Sequence, residues 1–297
     1  MSLEMNKLHH KMNEFLEEKN PQNEEELKKC LDEFMGKYNS DLLDIEDTPS
    51  VKALEKLEEA YDCEDEKEAK KLAKEALKID PFCVDAKRFL FNFEENPFKL
   101  LEKMDKAIKE EEEHLKEEDL FNDENIGMFY GLFETRPYIR LMWDKLNLLL
   151  NLGMLSQAKE VALEIIRLNE NDNMGARFVL MAIYTYFEDE KALNDLLKEY
   201  PDDTLISSAS QMILNYKLGN FDKALKYLKE ANKRNKHFIK VMTKEIKEEE
   251  FFTFLESGMY SLGDKSEVFE FMSTFRFVLL NTGSIGEWID RNKKKVD

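Results

Sequence analysis

Asn151-Leu152-Gly153-Met154-Leu155-Ser156-Gln157-Ala158-Lys159-Glu160 decides the fold, together with its echo Lys217-Leu218-Gly219-Asn220-Phe221-Asp222-Lys223-Ala224. Each reads as the end of one helix, a glycine turn, and the start of another. In both, an apolar residue stands two places after the Gly and an Ala five places after it. The Gly can take the left-handed conformation that ends a helix, and the Ala is small enough for the second helix to pack closely on the first. Ala192 lies 34 residues after Ala158 and 32 before Ala224. A period near 34 built from helix pairs predicts an array of stacked helical hairpins. The class is therefore all-α, an α-solenoid of helix hairpins closed by a C-terminal capping helix.

Composition agrees. The 297 residues include only 10 Gly and 6 Pro, and 36% are charged. Few punctuators and many Glu, Lys and Leu are what helices use. Lys and Arg number 44 against 63 Asp and Glu, a net charge of −19. Such a surface repels phosphate backbones and argues against nucleic acid as the main partner. It suits a basic or amphipathic partner, and equally it serves solubility. Cys30, Cys63 and Cys83 are odd in number and form no CxxC pair, as expected of free thiols in a reducing cytoplasm. Met1 to Met12 holds no apolar run of signal-peptide length, and the longest apolar stretch, Leu180 to Phe187, is too short to span a bilayer.

Four segments follow. Residues 1–47 read as a helical extension: a first helix around Leu3 to Phe15, a second capped by Asn23 with Glu26, and an acidic connector at Asp41 to Asp47. Residues 48–118 hold the N-terminal helix pairs. Thr48-Pro49 is a cap followed by proline in the first turn. Ala69, Leu72, Ala73, Ala76 and Leu77 form one apolar stripe before Asp80-Pro81 ends the helix. A further pair is expected at Val84 to Glu95 and Pro97 to Leu115, and the run Glu110 to Glu113 reads as a solvated face. Residues 119–237 hold the central repeats, in the pairs Tyr138–Leu150 with Leu155–Leu168, Met174–Phe187 with Lys191–Tyr200, and Leu205–Leu218 with Phe221–Asn232. Residues 238–297 hold the capping helices. Asp264 with Glu267 opens a Phe-rich helix through Phe269, Phe271, Met272, Phe275, Phe277 and Leu280, which Gly283 and Gly286 break. A buried cap and a surface for self-association are both readings of those rings.

The residues also carry a family resemblance. Lys74-Glu75-Ala76-Leu77-Lys78-Ile79-Asp80-Pro81, Gly131-Leu132-Phe133-Glu134-Thr135-Arg136-Pro137-Tyr138 and Arg167-Leu168-Asn169-Glu170-Asn171-Asp172-Asn173 resemble tetratricopeptide repeats (TPR). More narrowly, they resemble a bacterial group of unassigned function related to the suppressor-of-tumorigenicity repeat proteins. The likeness runs over residues 48–291 and implies a helical-repeat fold, with no chemistry to carry over. Glu170 departs from it, standing where a repeat usually has proline, and the pair Met174 to Tyr200 lacks the turn glycine.

No Walker A loop, GxSxG or GxGxxG is present, and Asn281 to Gly286 lacks the lysine of a phosphate loop. His9 and His10 are adjacent and point to different sides of a helix, while His114 and His237 stand alone, so no metal site and no cofactor are expected. The expectation is a non-catalytic scaffold that binds a peptide or protein segment in a concave groove lined by the first helix of each pair. Counting from the turn glycines puts Arg140, Trp143, Asn147 and Asn151 on that side, then Arg177, Met181 and Tyr184, then Ala209, Ile213 and Tyr216. Arg, Trp and Tyr are residue types that carry binding energy, and two arginines can hold a carboxylate or acidic peptide. Trp143 and Met181 serve equally well as packing between helices. The alternative reading is a catalytic or metal-dependent pocket beside Glu134, Arg136 and Tyr138.

Overall fold

The computed structural model describes residues 3–40, 48–201, 204–243 and 248–296. The acidic connector, residues 41–47, lies outside them, as do residues 244–247. Among the described residues there are seventeen α-helices, one 3-10 turn at Lys293–Lys295 and no strand. A single isolated antiparallel bridge joins Met128 to Asn169. The chain divides into two compact units, Met1–Leu148 with Leu168–Glu170, and Leu149–Arg167 with Asn171–Asp297.

The first unit holds α1 (Leu3–Lys19), α2 (Glu24–Asn39), α3 (Pro49–Asp62), α4 (Glu66–Ile79), α5 (Val84–Phe91), α6 (Pro97–Glu117) and most of α7 (Arg136–Asn151). The start of α3 falls where its cap predicts, and α4 opens on a cap of its own. Thr48 Oγ1 accepts from Val51 N–H at 3.3 Å with Pro49 in the first turn, and Asp65 Oδ1 accepts from Glu68 N–H at 2.8 Å. These bonds satisfy donors that the first turn otherwise leaves open. The α3–α5 core is rich in alanine: Ala53, Ala60, Ala69, Ala73, Ala76 and Ala86 pack with Leu57 and Phe89. Small residues on facing stripes let the helix axes approach closely. Helix α1 lies against α3, placing the N-terminal extension on this unit.

Helix α5 is shorter than the expected Val84 to Glu95. Phe93 N–H and Glu94 N–H turn back to Leu90 and Phe91 carbonyls at 3.3 and 3.1 Å, three-residue bonds that tighten and end the helix. Asn96 then caps α6 ahead of Pro97.

The second unit holds most of α8 (Leu155–Leu168), then α9 (Ala176–Phe187), α10 (Glu190–Glu199), α11 (Leu205–Lys217), α12 (Phe221–Arg234), α13 (Phe238–Thr243), α14 (Glu248–Ser257), α15 (Lys265–Thr274), α16 (Arg276–Leu280) and α17 (Ile285–Asn292). Consecutive helices pack in pairs, α9 on α10 and α11 on α12. Gly153 and Gly219 take φ of +71° and +74°, the left-handed turns expected of them. The pair without a turn glycine uses Glu188 instead, at φ +60°.

Three expectations are corrected here. The Phe-rich helix is two helices, α15 and α16, interrupted at Phe275. Gly286 does not break a helix; it lies inside α17, where a Cβ would stand 3.2 Å from the Met242 carbonyl oxygen, so glycine permits close approach to α13. Glu267 does not complete a capping box with Asp264; it is buried, and its Oε2 accepts from Gly263 N–H and Asn235 Nδ2, both at 2.8 Å.

Candidate functional site

The expected groove residues fall in both units. In the first, Arg140 Nη2 donates to Asp85 Oδ2 at 2.8 Å, and Arg88 Nη1 meets the other oxygen of Asp85 at 3.1 Å. Arg88 also holds Asp144 with two bonds, Nε at 2.6 Å and Nη2 at 3.1 Å. Arg140 is thereby occupied by an internal ion-pair network. Trp143 is half-buried and Asn147 exposed.

In the second unit, Arg177 Nη1 donates to Asp172 Oδ2 at 3.0 Å, and its guanidinium stacks over Phe178 and Tyr200. Asp172 is itself buried and caps α9 through the Ala176 and Arg177 N–H groups. Burial pushes its carboxyl up, against those bonds and the Arg177 charge. Met181, Ala209 and Ile213 are wholly buried, so they present no surface to a partner. The reason is that α9 and α11 are not one-sided: eleven of the thirteen residues of α11 are buried. A helix buried on all sides is a central helix, and phase counted from its turn no longer separates an outer face. Tyr184 and Tyr216 are half-buried, and Tyr216 rests against Trp288 and hydrogen-bonds Ser284 at 2.7 Å. Asn151 meets Arg276. Phe269, Phe271 and Phe275 are buried, which removes these rings as a contact surface, while Leu280 is exposed.

Of the alternative trio, Tyr138 is buried among Phe121 and Phe129, and Arg136 donates to the Tyr130 carbonyl at 2.6 Å, tying down the loop before α7. Glu134 differs. It lines a cavity of about 390 Å³ in the first unit and accepts a bond from Asn13. That volume lies in the roughly 300–1,000 Å³ range of ligand pockets.

The cavity is built from four stretches. The start of α3 gives Ser50 and Leu54; the α4–α5 turn gives Asp80, Phe82, Cys83, Val84 and Asp85; α6 gives Glu111, His114, Leu115 and Glu118; and the loop into α7 gives Phe133, Glu134 and Pro137. Ser50 Oγ donates to Asp80 at 3.0 Å. The His114 ring stacks on Phe82 at 3.7 Å, and His9 stacks on Phe133. Phe82 is 39% exposed and Glu118 is exposed, so the rim is open to solvent.

Glu111 stands apart from its neighbours. It is only 4% exposed and its Oε2 has no hydrogen-bond partner. The expectation that Glu110 to Glu113 is a solvated face is therefore wrong at this position. Burial pushes the Glu111 carboxyl up to about 7; the Lys87 charge works against that shift and Asp80 with it. The signal was present in the sequence. Position 111 continues the apolar stripe of Met104, Ile108 and Leu115 at helical spacing, so α6 must turn it inward. Cys83, beside it on the wall, is also buried, and burial pushes its thiol up to about 12.

A second concavity of the same unit, about 430 Å³, is lined by Lys70, Lys74, Lys87, Lys103 and Lys106 with Phe91 and Phe93. Four of these lysines are matched by acids: Lys70 by Glu66, Lys87 and Lys106 by Glu110, and Lys103 by Glu94. Its charge is largely compensated within the protein, unlike that of Glu111. Among the described residues, no three His, Cys, Asp or Glu side chains are placed to hold a metal ion, and no helix is long and apolar enough to cross a membrane. Comparisons with family models, with curated proteins and with solved structures find no match.

Proposed function

We propose that this chain is a non-catalytic scaffold of TPR-like helical hairpins, working in the cytoplasm, that binds a segment of a partner protein. The contact is anchored at the α3–α7 cavity of the first unit. Paired helices joined by left-handed glycine turns, with alanine on the facing stripes, support the repeat reading. The observation that carries the binding reading is Glu111: a buried carboxyl with an unpartnered oxygen in an open-rimmed cavity. An unmet buried acceptor costs roughly 1–3 kcal/mol, and more when charged, so it marks a place where a ligand can supply the missing partner. This shifts the anchor from the expected groove, whose two arginines already pair with Asp85 and Asp172.

An enzymatic reading has one observation in its favour, since a carboxyl near neutrality can act as a general acid or base. The adjacent thiol of Cys83 speaks against it, being protonated and inert at neutral pH. The test is affinity capture from a lysate with the tagged full chain, comparing wild type with a Phe82→Ala, Glu118→Lys double variant at the exposed rim. A stoichiometric partner retained by the wild type and lost by the variant is the expected result. An unchanged set of captured proteins would contradict the assignment.

A further inference from the structure

We propose that the cavity takes the side chain of a lysine on the partner, its ammonium seated on Glu111 Oε2 and its aliphatic stem against Phe82, Phe133 and Leu115. This rests on the scaffold reading above and names the chemistry the partner must present. Three observations carry it. Glu111 Oε2 is buried and lacks a donor, and an ammonium brings up to three. The surrounding charge is acidic: Asp80, Glu118 and Glu134 line the same space, while Asp85 is already held by Arg88 and Arg140. The remaining walls are aromatic and aliphatic, the surface on which a lysine stem lies.

The choice of ammonium over guanidinium follows from how this unit already treats arginine. Asp85 takes Arg88 on one oxygen and Arg140 on the other, and Asp144 takes the fork of Arg88. Those guanidinium sites use carboxylates with both oxygens committed. Glu111 offers one deep unpartnered oxygen, which a compact point charge matches better than a planar fork that needs two.

Ligand binding should depend on pH, because only the ionised carboxylate attracts the cation. The groups facing Glu111 are Asp80, Cys83, Asp85 and Lys87 from the α4–α5 turn and α5, His114 and Glu118 from α6 itself, and Glu134 from the loop into α7. Lys87 pairs with Glu110 at 3.2 Å, and its charge offsets the burial of Glu111 only in part. With a carboxyl titrating near 7, the ionised fraction, and with it the apparent affinity, rises about tenfold from pH 6 to pH 8. His114 lines the same space, so His114→Gln is measured alongside and should leave the pH dependence in place.

The experiment is a nitrogen-15 correlation-spectrum titration of the full chain with N-acetyl-lysine methylamide, against the norleucine and arginine analogues. Expected are saturable shifts at residues 80–85, 111–118 and 133–137, about tenfold tighter binding at pH 8 than at pH 6, and at least tenfold weaker binding of both analogues. Glu111→Gln should abolish the lysine shifts while its spectrum stays folded. Should that variant not fold, Phe82→Ala at the exposed wall should weaken lysine binding several-fold. Equal binding of norleucine, shifts elsewhere on the chain, or undiminished lysine binding in Glu111→Gln would overturn the inference. If lysine fails while the rim variant still loses a captured partner, this inference is wrong and the scaffold reading stands. If no partner is captured in a rim-dependent way, the scaffold reading itself fails.

Discussion

Glu111 is where one residue most affects the behaviour of the whole. Its carboxyl is raised from 4.5 to about 7, so the fold tolerates the neutral form and is strained by the charged one. Stability from this group is complete below pH 4.5 and is lost as the pH rises through about 7. The loss amounts to about 3 kcal/mol, the shift converted at ~1.4 kcal/mol per pH unit. Glu111→Gln should therefore unfold at higher urea than wild type at pH 8 and at nearly the same urea at pH 4.5. A parallel pH dependence in the two proteins would show that the carboxyl is not buried as described. Left-handed turns give a second check at this scale. Gly219→Ala should cost about 1 kcal/mol, and Glu188→Gly, at φ +60°, should raise the melting temperature by a matching order. The glycines were legible, because few other residues suit that conformation. Glu188 was not, because nothing in a glutamate announces a turn. Glu111 was hidden in a run of four acids whose composition argues for solvent, while only its phase on α6 argues for the core.

At the scale of elements, caps and stripes were the readable part. Thr48-Pro49, Asp65 and Asp80 set the bounds of α3 and α4, and Ala69, Ala73 and Ala76 are buried as their spacing requires. Ala73→Leu should destabilise by about 1–3 kcal/mol, since a larger side chain has no room between α3 and α4. The measurement is a denaturant midpoint at unchanged slope. What could not be read were interactions between distant segments. Arg88 and Arg140 are 52 residues apart in the sequence, yet both converge on Asp85. Asp85→Ala should cost about 2–3 kcal/mol, above the ~0–1 kcal/mol of an exposed pair, because two largely covered guanidinium groups lose a partner. A change below 0.5 kcal/mol, on the order of a neutral surface substitution, would mean the network is ornamental. The one-sided view of α9 and α11 failed for a related reason. Ser207, Ser208, Ser210, Gln211 and Asn215 look like surface but are buried. Their polar atoms are met within the helix or by neighbours: Gln211 Nε2 donates to Asn194 at 2.8 Å and Arg234 Nε to Ser208 at 3.0 Å.

For the whole molecule, charge is the governing quantity. A chain of net charge −19 attracts a basic segment at long range, with a reach that salt shortens to roughly 8–10 Å at physiological strength. Partner association should slow as salt is raised from 50 to 300 mM, roughly the range where screening acts, while dissociation changes less. The helical class was legible from Gly and Pro scarcity together with the 34-residue period, both of which reflect local chain geometry. The cavity was not, because it is assembled from four stretches between Ser50 and Pro137 that only folding brings together. The most direct test of the account places a photo-crosslinking amino acid at Phe82, on the cavity rim, in the intact chain inside cells. One dominant protein adduct is expected, with the crosslinked peptide carrying a lysine within a few residues of the linkage. Absence of any specific adduct at Phe82, when the same probe at a rim-distant control site is equally well incorporated, would contradict it.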